Sequence, residues 1–162
     1  MKLIGDIKFY YSNSLVAAVP GPGDIAVTGY ELYREPGFET SVTLSLFSDA
    51  RAGRGDVLPS TIKYKGGWWG SSLLGREFGS KLWLLQRSVL DNTTMRLYEQ
   101  YSKDALKWMV DDQIAEEVTA EATRTGPNRV DLAMTIKRKN NTSVSFRFYV
   151  NWEEQLAGGV IA

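Results

Sequence analysis

Two runs of strict alternation in the last third of the chain constrain its fold more than any other feature. Val130, Leu132, Met134 and Ile136 alternate with Asp131, Ala133, Thr135 and Lys137, and Val144, Phe146, Phe148 and Val150 alternate with Ser145, Arg147, Tyr149 and Asn151. Side chains on a strand point to opposite faces in turn, so each run presents one apolar and one polar face. Lys139-Asn140-Asn141-Thr142 between the runs reads as a hairpin turn. Thr125-Gly126-Pro127-Asn128 is a second tight turn, preceded by a shorter run at Val118–Thr123. The expectation is a three-stranded antiparallel meander with one face that must be covered.

The cover is supplied just upstream. Met95, Tyr98, Tyr101, Ala105, Trp108 and Met109 recur every three or four residues, the spacing of one helix face. Asp91-Asn92-Thr93-Thr94 provides side-chain oxygens for the free amides of a helix start, which predicts a helix over about 93–111. Glu99 and Lys103 stand four apart in the favourable order. Asp111 and Asp112 oppose the helix dipole, so either the helix has ended there or those carboxylates have cationic partners.

The first part of the chain is less regular. Residues 1–30 read as short strands and turns: Ile7, Phe9 and Tyr11 alternate with Lys8 and Tyr10, while Ser12–Ser14 and Pro20–Asp24 are turns by composition. Pro36-Gly37 opens a helix carrying Phe38, Val42 and Leu46 on one face. Residues 49–81 form a long loop around Gly66-Gly67-Trp68-Trp69-Gly70, followed by a short helix near Gly79–Arg87. Long loops inside compact domains are usually functional. The fold class is therefore α+β: N-terminal short strands, a long helix, and a C-terminal three-stranded antiparallel meander packed on it. The chain is read as a single domain over 1–162, divided into short strands and turns (1–30), helices with a long loop (37–111) and antiparallel sheet (114–152).

Composition narrows the function. The chain has no Cys and no His, which removes thiol chemistry, disulfides, the commonest general base and the commonest metal ligand. Lys plus Arg and Asp plus Glu are 19 each, and a zero net charge argues against a nucleic-acid partner. Leu82-Trp83-Leu84-Leu85 is the longest apolar run near the middle, far short of the ~20 residues that span a membrane. Asp49 and Asp56 in the loop, and adjacent Glu116 and Glu117, are the carboxylates a hydrolase reading must use. Neighbours on a regular strand point apart, so Glu116 and Glu117 cannot share a site there. Arg54-Gly55-Asp56 spells an integrin tripeptide, and a three-residue match of this kind is common by chance. No catalytic, cofactor-binding or metal-ligating residue is assigned, and the expected mode of action is binding other proteins.

Two features bear on that binding. Trp68 and Trp69 are flanked by glycines; either plugs the core of its own domain or anchors a partner. The strand at Ser143–Trp152, with Arg147, Tyr149 and Trp152, is expected at or near a sheet edge unless the N-terminal strand around Ile7–Tyr11 covers it. Charge is also segregated: residues 111–121 carry a net −5 and residues 124–147 a net +5. Either neighbouring strands pair in sign, or the two stretches mate with different neighbours.

The joint order of Ser45-Leu46-Phe47-Ser48-Asp49-Ala50-Arg51-Ala52, Asp56-Val57-Leu58-Pro59, Gly67-Trp68-Trp69-Gly70, Gly79-Ser80-Lys81-Leu82-Trp83-Leu84-Leu85 and Tyr101-Ser102-Lys103-Asp104-Ala105-Leu106-Lys107-Trp108-Met109 resembles the Mu-type phage baseplate protein family over about residues 24–150. The sequence departs from that family at Ser71-Ser72, where members carry an acidic residue, and at Thr61–Lys65, where the link is shorter or more acidic. The resemblance implies a structural subunit of a contractile tail, a wedge component placed with six-fold symmetry near tube and sheath. Its implied partners are other baseplate wedge proteins and tail tube or sheath subunits. It further implies a place in the virion tail baseplate after assembly in the host cytoplasm, and no catalytic residues. The related small wedge subunit of other contractile tails has been labelled lysozyme-like, so a tail-associated peptidoglycan hydrolase is the alternative.

Overall fold

The computed structural model describes residues 6–7, 9–10, 24–25, 27–28, 31–32, 34–35, 38–59, 63–86, 88–151 and 157–158. They fall into two compact units, Met1–Thr43 and Leu44–Ala162.

In the first unit the described strands are short and antiparallel. β1 (Asp6–Ile7) pairs with β6 (Arg34–Glu35), β2 (Phe9–Tyr10) with β3 (Asp24–Ile25), and β4 (Val27–Thr28) with β5 (Glu31–Leu32). The turns expected at 12–14 and 20–23 lie outside the described residues. Helix α1 (Glu39–Phe47) begins in this unit and its residues from Leu44 on belong to the second; Val42 and Leu46 are buried one turn apart as the sequence spacing predicts. Thr43 turns its hydroxyl onto the Glu39 carbonyl four residues back, which satisfies it inside the helix.

The second unit holds helix α2 (Ser71–Leu74), a 3-10 turn at Leu82–Leu85, helix α3 (Asn92–Asp111), and strands β7 (Glu117–Arg124), β8 (Arg129–Lys137), β9 (Ser143–Asn151) and β10 (Ala157–Gly158). The sheet order is β10-β9-β8-β7, all antiparallel, so a two-residue strand joins the three expected ones. Its apolar face buries Ala120, Val130, Leu132, Met134, Ile136, Phe146 and Phe148. Phe47 at the end of α1 meets Phe148 edge to face, with centroids 5.5 Å apart.

Helix α3 packs along β7. Asp91 caps it, accepting from the Thr94 amide at 2.7 Å. Its buried stripe is Thr94, Tyr98, Ser102, Ala105, Leu106 and Met109. This corrects the expected stripe: Met95, Tyr101 and Trp108 are half-buried, while two hydroxyl residues are inside. Thr94 and Ser102 are tolerated because their hydroxyls donate to the carbonyls of Val89 and Tyr98. Trp108 donates its indole N–H to Ser45 at 3.1 Å, and its ring carries the Arg76 guanidinium 5.1 Å from the centroid.

The end of α3 resolves the question of its acidic terminus in both ways at once. Asp112 is the C-cap, Gln113 takes the left-handed conformation, and the Ile114 amide reaches back to the Met109 carbonyl at 2.8 Å, which closes the helix. Lys107 then pairs with Asp111 at 2.6 Å and Arg76 with Asp112 at 2.7 Å. Glu99 does not use Lys103 as the sequence suggested. Its carboxylate accepts the Ala122 amide of β7 at 3.2 Å, sealing part of that sheet edge. Among the described residues, no helix is long and apolar enough to cross a membrane.

Candidate interface

The long loop is organised by Trp83 rather than by the Trp68–Trp69 pair. Trp83 is only 6% exposed, its indole N–H donates to the Ala50 carbonyl at 2.9 Å, and Tyr64 stacks on its ring. Ala52, Leu84 and Leu58 pack around it. Backbone bonds tie the strands of the loop together: Ala50 to Ser80, Ser80 to Ser48, and Ala52 to Lys65. Ser80, buried, donates its hydroxyl to the Leu46 carbonyl at the end of α1 and accepts the Leu82 amide. Gly79 makes this knot possible, because its φ is +100° and a Cβ there would sit 2.4 Å from the Ser48 carbonyl oxygen.

That scaffold presents the tryptophan pair. Trp68 is half-buried, with its ring centroid 4.9 Å from Phe78. Its ring folds back over Gly70, where a Cβ would lie 2.2 Å away, so glycine at that position is required by packing. Trp69 turns outward and is 79% exposed, its ring 5.4 Å from that of Trp68. Leu73 and Leu74 of α2 are exposed as well. The two neighbouring indoles thus face differently: one packs on its own loop and the other meets solvent.

The second candidate surface is β9. Arg147 is exposed and stands across from Ala133, which stands across from Glu121 on β7. Tyr149 is half-buried beneath the Arg129 guanidinium, 4.8 Å from the ring centroid. Trp152 lies outside the described residues. The hairpin bond from the Arg138 amide to the Thr142 carbonyl sets the alternation of the ladder. Counting from it, Ser143, Ser145, Arg147 and Tyr149 aim their backbone groups away from β8. At Tyr149 that side is taken by Gly158 of β10. Among the described residues, no strand pairs with the outer side of Ser143–Phe148, and the N-terminal strands pair with one another.

The carboxylates raised by the sequence are dispersed. Lys81, bonded at 2.7 Å, and the Gly53 amide hold the Asp56 carboxyl below its usual range. Desolvation pushes Asp49 the other way. Glu116 is exposed and paired with Lys137 at 3.2 Å, and Glu117 is exposed. The Arg129 guanidinium holds Asp131 low. Opposite charges meet at Glu116, just ahead of β7, and Lys137 at the end of β8. Among the described residues, no group of three or more acidic side chains is arranged to hold a metal ion. A cleft of about 470 Å³ opens between the loop and α3, lined by Val57, Leu58, Leu84, Leu85, Leu97 and Tyr101. Neither the hub role of Trp83 nor the cleft was found from sequence; Leu82–Leu85 was read as an apolar run within a short helix, and it forms a single 3-10 turn.

Comparison with known proteins places this arrangement. The chain matches the family described as phage protein GP46 over residues 38–143, well over half its length. Baseplate protein gp46 of Escherichia phage Mu is 40% identical over 89 residues, 55% of this chain and 61% of that protein. The chain thus spans less than two thirds of the Mu protein. The Mu-like prophage FluMu protein gp46 of Haemophilus influenzae is 28% identical over 138 residues, 82% of this chain and 91% of that protein. The matched span runs from α1 through the tryptophan loop and α3 to the start of β9, and the chain belongs to the phage protein GP46 family.

Proposed function

We propose that the chain is a structural subunit of a contractile phage tail baseplate, a single wedge-type domain that works by docking its neighbours in a six-fold ring near tube and sheath. The observation that carries this is the 40% identity to a protein named for the baseplate of phage Mu. Two surfaces suit the role. The outer side of β9 offers amides and carbonyls at Ser143, Ser145 and Arg147 that no strand pairs among the described residues, to which a neighbour's strand can add by main-chain bonds. Trp69 offers an exposed aromatic anchor held in place by Trp68. Arg147, Tyr149 and Trp152 are the side chains assigned to the first surface, Trp68 and Trp69 to the second. Neighbouring wedge, tube or sheath subunits are the intended partners, and the virion tail the place of action.

The test is genetic. Removing the gene from its phage should leave tails without functional baseplates, restored by the wild-type chain in trans. Ser145→Pro removes one outward amide and leaves the backbone bonds to β8 in place, losing only the exposed contact with the Thr135 hydroxyl, so the isolated protein should fold and melt close to wild type while complementation falls. Normal tails in the absence of the chain would refute the role; full complementation by Ser145→Pro would refute the edge.

A further inference from the structure

Segment 51–65 carries four cations, Arg51, Arg54, Lys63 and Lys65, all exposed. Its one acid, Asp56, is already engaged by Lys81 and the Gly53 amide. The four make no ion pair among the described residues. Two of them, Arg51 and Lys65, are held close to the exposed apolar group. The Ala52 amide bonds the Lys65 carbonyl at 2.7 Å, so 51 and 65 stand on adjacent lengths of backbone. The stem of Arg51 lies alongside Gly67, where an added Cβ would be 3.5 Å from that of Arg51, two residues before Trp69. Trp69 and Leu73 are each 79% exposed, and Tyr64 and Leu74 are exposed beside them in the chain. An aromatic and aliphatic knob rimmed by uncompensated positive charge is the pattern of a hot spot with an electrostatic rim.

We infer that this face docks an acidic segment of another tail subunit, one that sets Asp or Glu against Arg51 and Lys65 and an apolar side chain against Trp69 and Leu73. The inference rests on the proposed baseplate role and names the chemistry of one partner. A second copy of this chain is the poorer complement, because its own acidic stretch is largely neutralised at home: Asp111 by Lys107, Asp112 by Arg76 and Glu116 by Lys137. A nucleic acid is the poorer complement too. The chain carries 19 Lys plus Arg against 19 Asp plus Glu, without the basic surplus that neutralising phosphates needs.

The experiment replaces Trp69 with the photoreactive residue p-benzoylphenylalanine, assembles tails with that chain as the only copy, irradiates them and identifies the adduct by mass spectrometry. The expected adduct is a peptide of net negative charge from a different tail protein. The double variant Arg51→Glu, Lys65→Glu should lower adduct yield, or incorporation into tails, by roughly tenfold or more at an unchanged melting temperature. An adduct on a neutral or basic segment, on a second copy of this chain or on nucleic acid overturns the inference. So does the lack of any adduct in tails that contain the photoreactive chain. Should position 69 block incorporation, the same residue at position 73 reads the same surface. Tails that lack the wild-type chain altogether would remove the baseplate reading and this inference with it.

Discussion

Replacing Trp83 by alanine tests whether the long loop is held by one buried indole. The side chain is 6% exposed, so nearly its whole surface is withdrawn from water. A ring of that kind buries about 200 Å², worth about 5 kcal/mol at ~25 cal/mol per Å² before the site relaxes. Large-to-small changes at buried aromatics cost about 3–5 kcal/mol once partial collapse is counted. The indole N–H to the Ala50 carbonyl is a smaller part. Trp83→Phe keeps most of the apolar contact and orphans that carbonyl, so it should cost about 1–2 kcal/mol. In a chain of this size a kcal/mol moves the melting temperature by about 2–4 °C, which puts Trp83→Ala about 6–20 °C below wild type. Trp69→Ala is the control: at 79% exposure it should stay within about 0.5 kcal/mol. Thermal and urea unfolding followed by far-UV circular dichroism measure all three. If Trp83→Ala fell within about 1 kcal/mol of wild type, or Trp69→Ala matched it, the loop would not be organised as described.

Three further outcomes follow from named contacts. Gly79→Ala should destabilise by about 2 kcal/mol or more in urea unfolding, because φ is +100° and the new Cβ meets the Ser48 carbonyl; an unchanged midpoint would contradict it. Gln113→Gly should stabilise by about 0.5–1 kcal/mol, since Gln113 sits at φ 59° and its exposed contact with Lys139 is worth little; a loss of stability would show that contact to matter. Burial raises the folded-state pKa of Asp49, so its charge is a cost at neutral pH that protonation relieves. Asp49→Asn should therefore melt higher than wild type at pH 7, with the gain shrinking as the pH falls into the carboxylate range. Asp56→Asn should show the opposite sign, because Lys81 lowers that pKa and the stability it contributes is lost in acid. Two curves of the same sign would refute the assignment.

What could be read from the sequence was whatever a local period records. The strands β7, β8 and β9, their two turns, and α3 with its Asp91 cap are each specified within about twenty residues by alternation, helical spacing or turn chemistry. What escaped depends on contacts between distant residues. Trp83 and Ala50 are 33 positions apart, so nothing near Trp83 marks it as the hub while the more conspicuous Trp68–Trp69 pair drew attention. Strand β10 pairs through the backbone of Ala157 and Gly158, which carry no alternation to detect. The buried Thr94 and Ser102 break a hydrophobicity rule because their hydroxyls bond to carbonyls one turn or more away. Trp108 reads as core by spacing, yet Arg76 comes from another element to cover its outer side, and the ring stays half-buried. Of the candidate interface, strand count set Ser143–Trp152 at or near an edge, whereas β10 pairs with β9 at Tyr149 and Val150; the exposure of Trp69 against the packing of Trp68 was not legible, because it depends on where Phe78 and Gly70 lie.

The most direct measurement is a cryo-EM reconstruction of purified tails from the phage that encodes this chain. The account predicts density for α3 and the β7–β9 sheet in the baseplate, repeated around the tail axis. The outer side of β9 at Ser143–Arg147 and the Trp69 face should be turned toward neighbouring subunits. A baseplate fully accounted for by other proteins, or this chain present with both of those surfaces facing solvent, would contradict it.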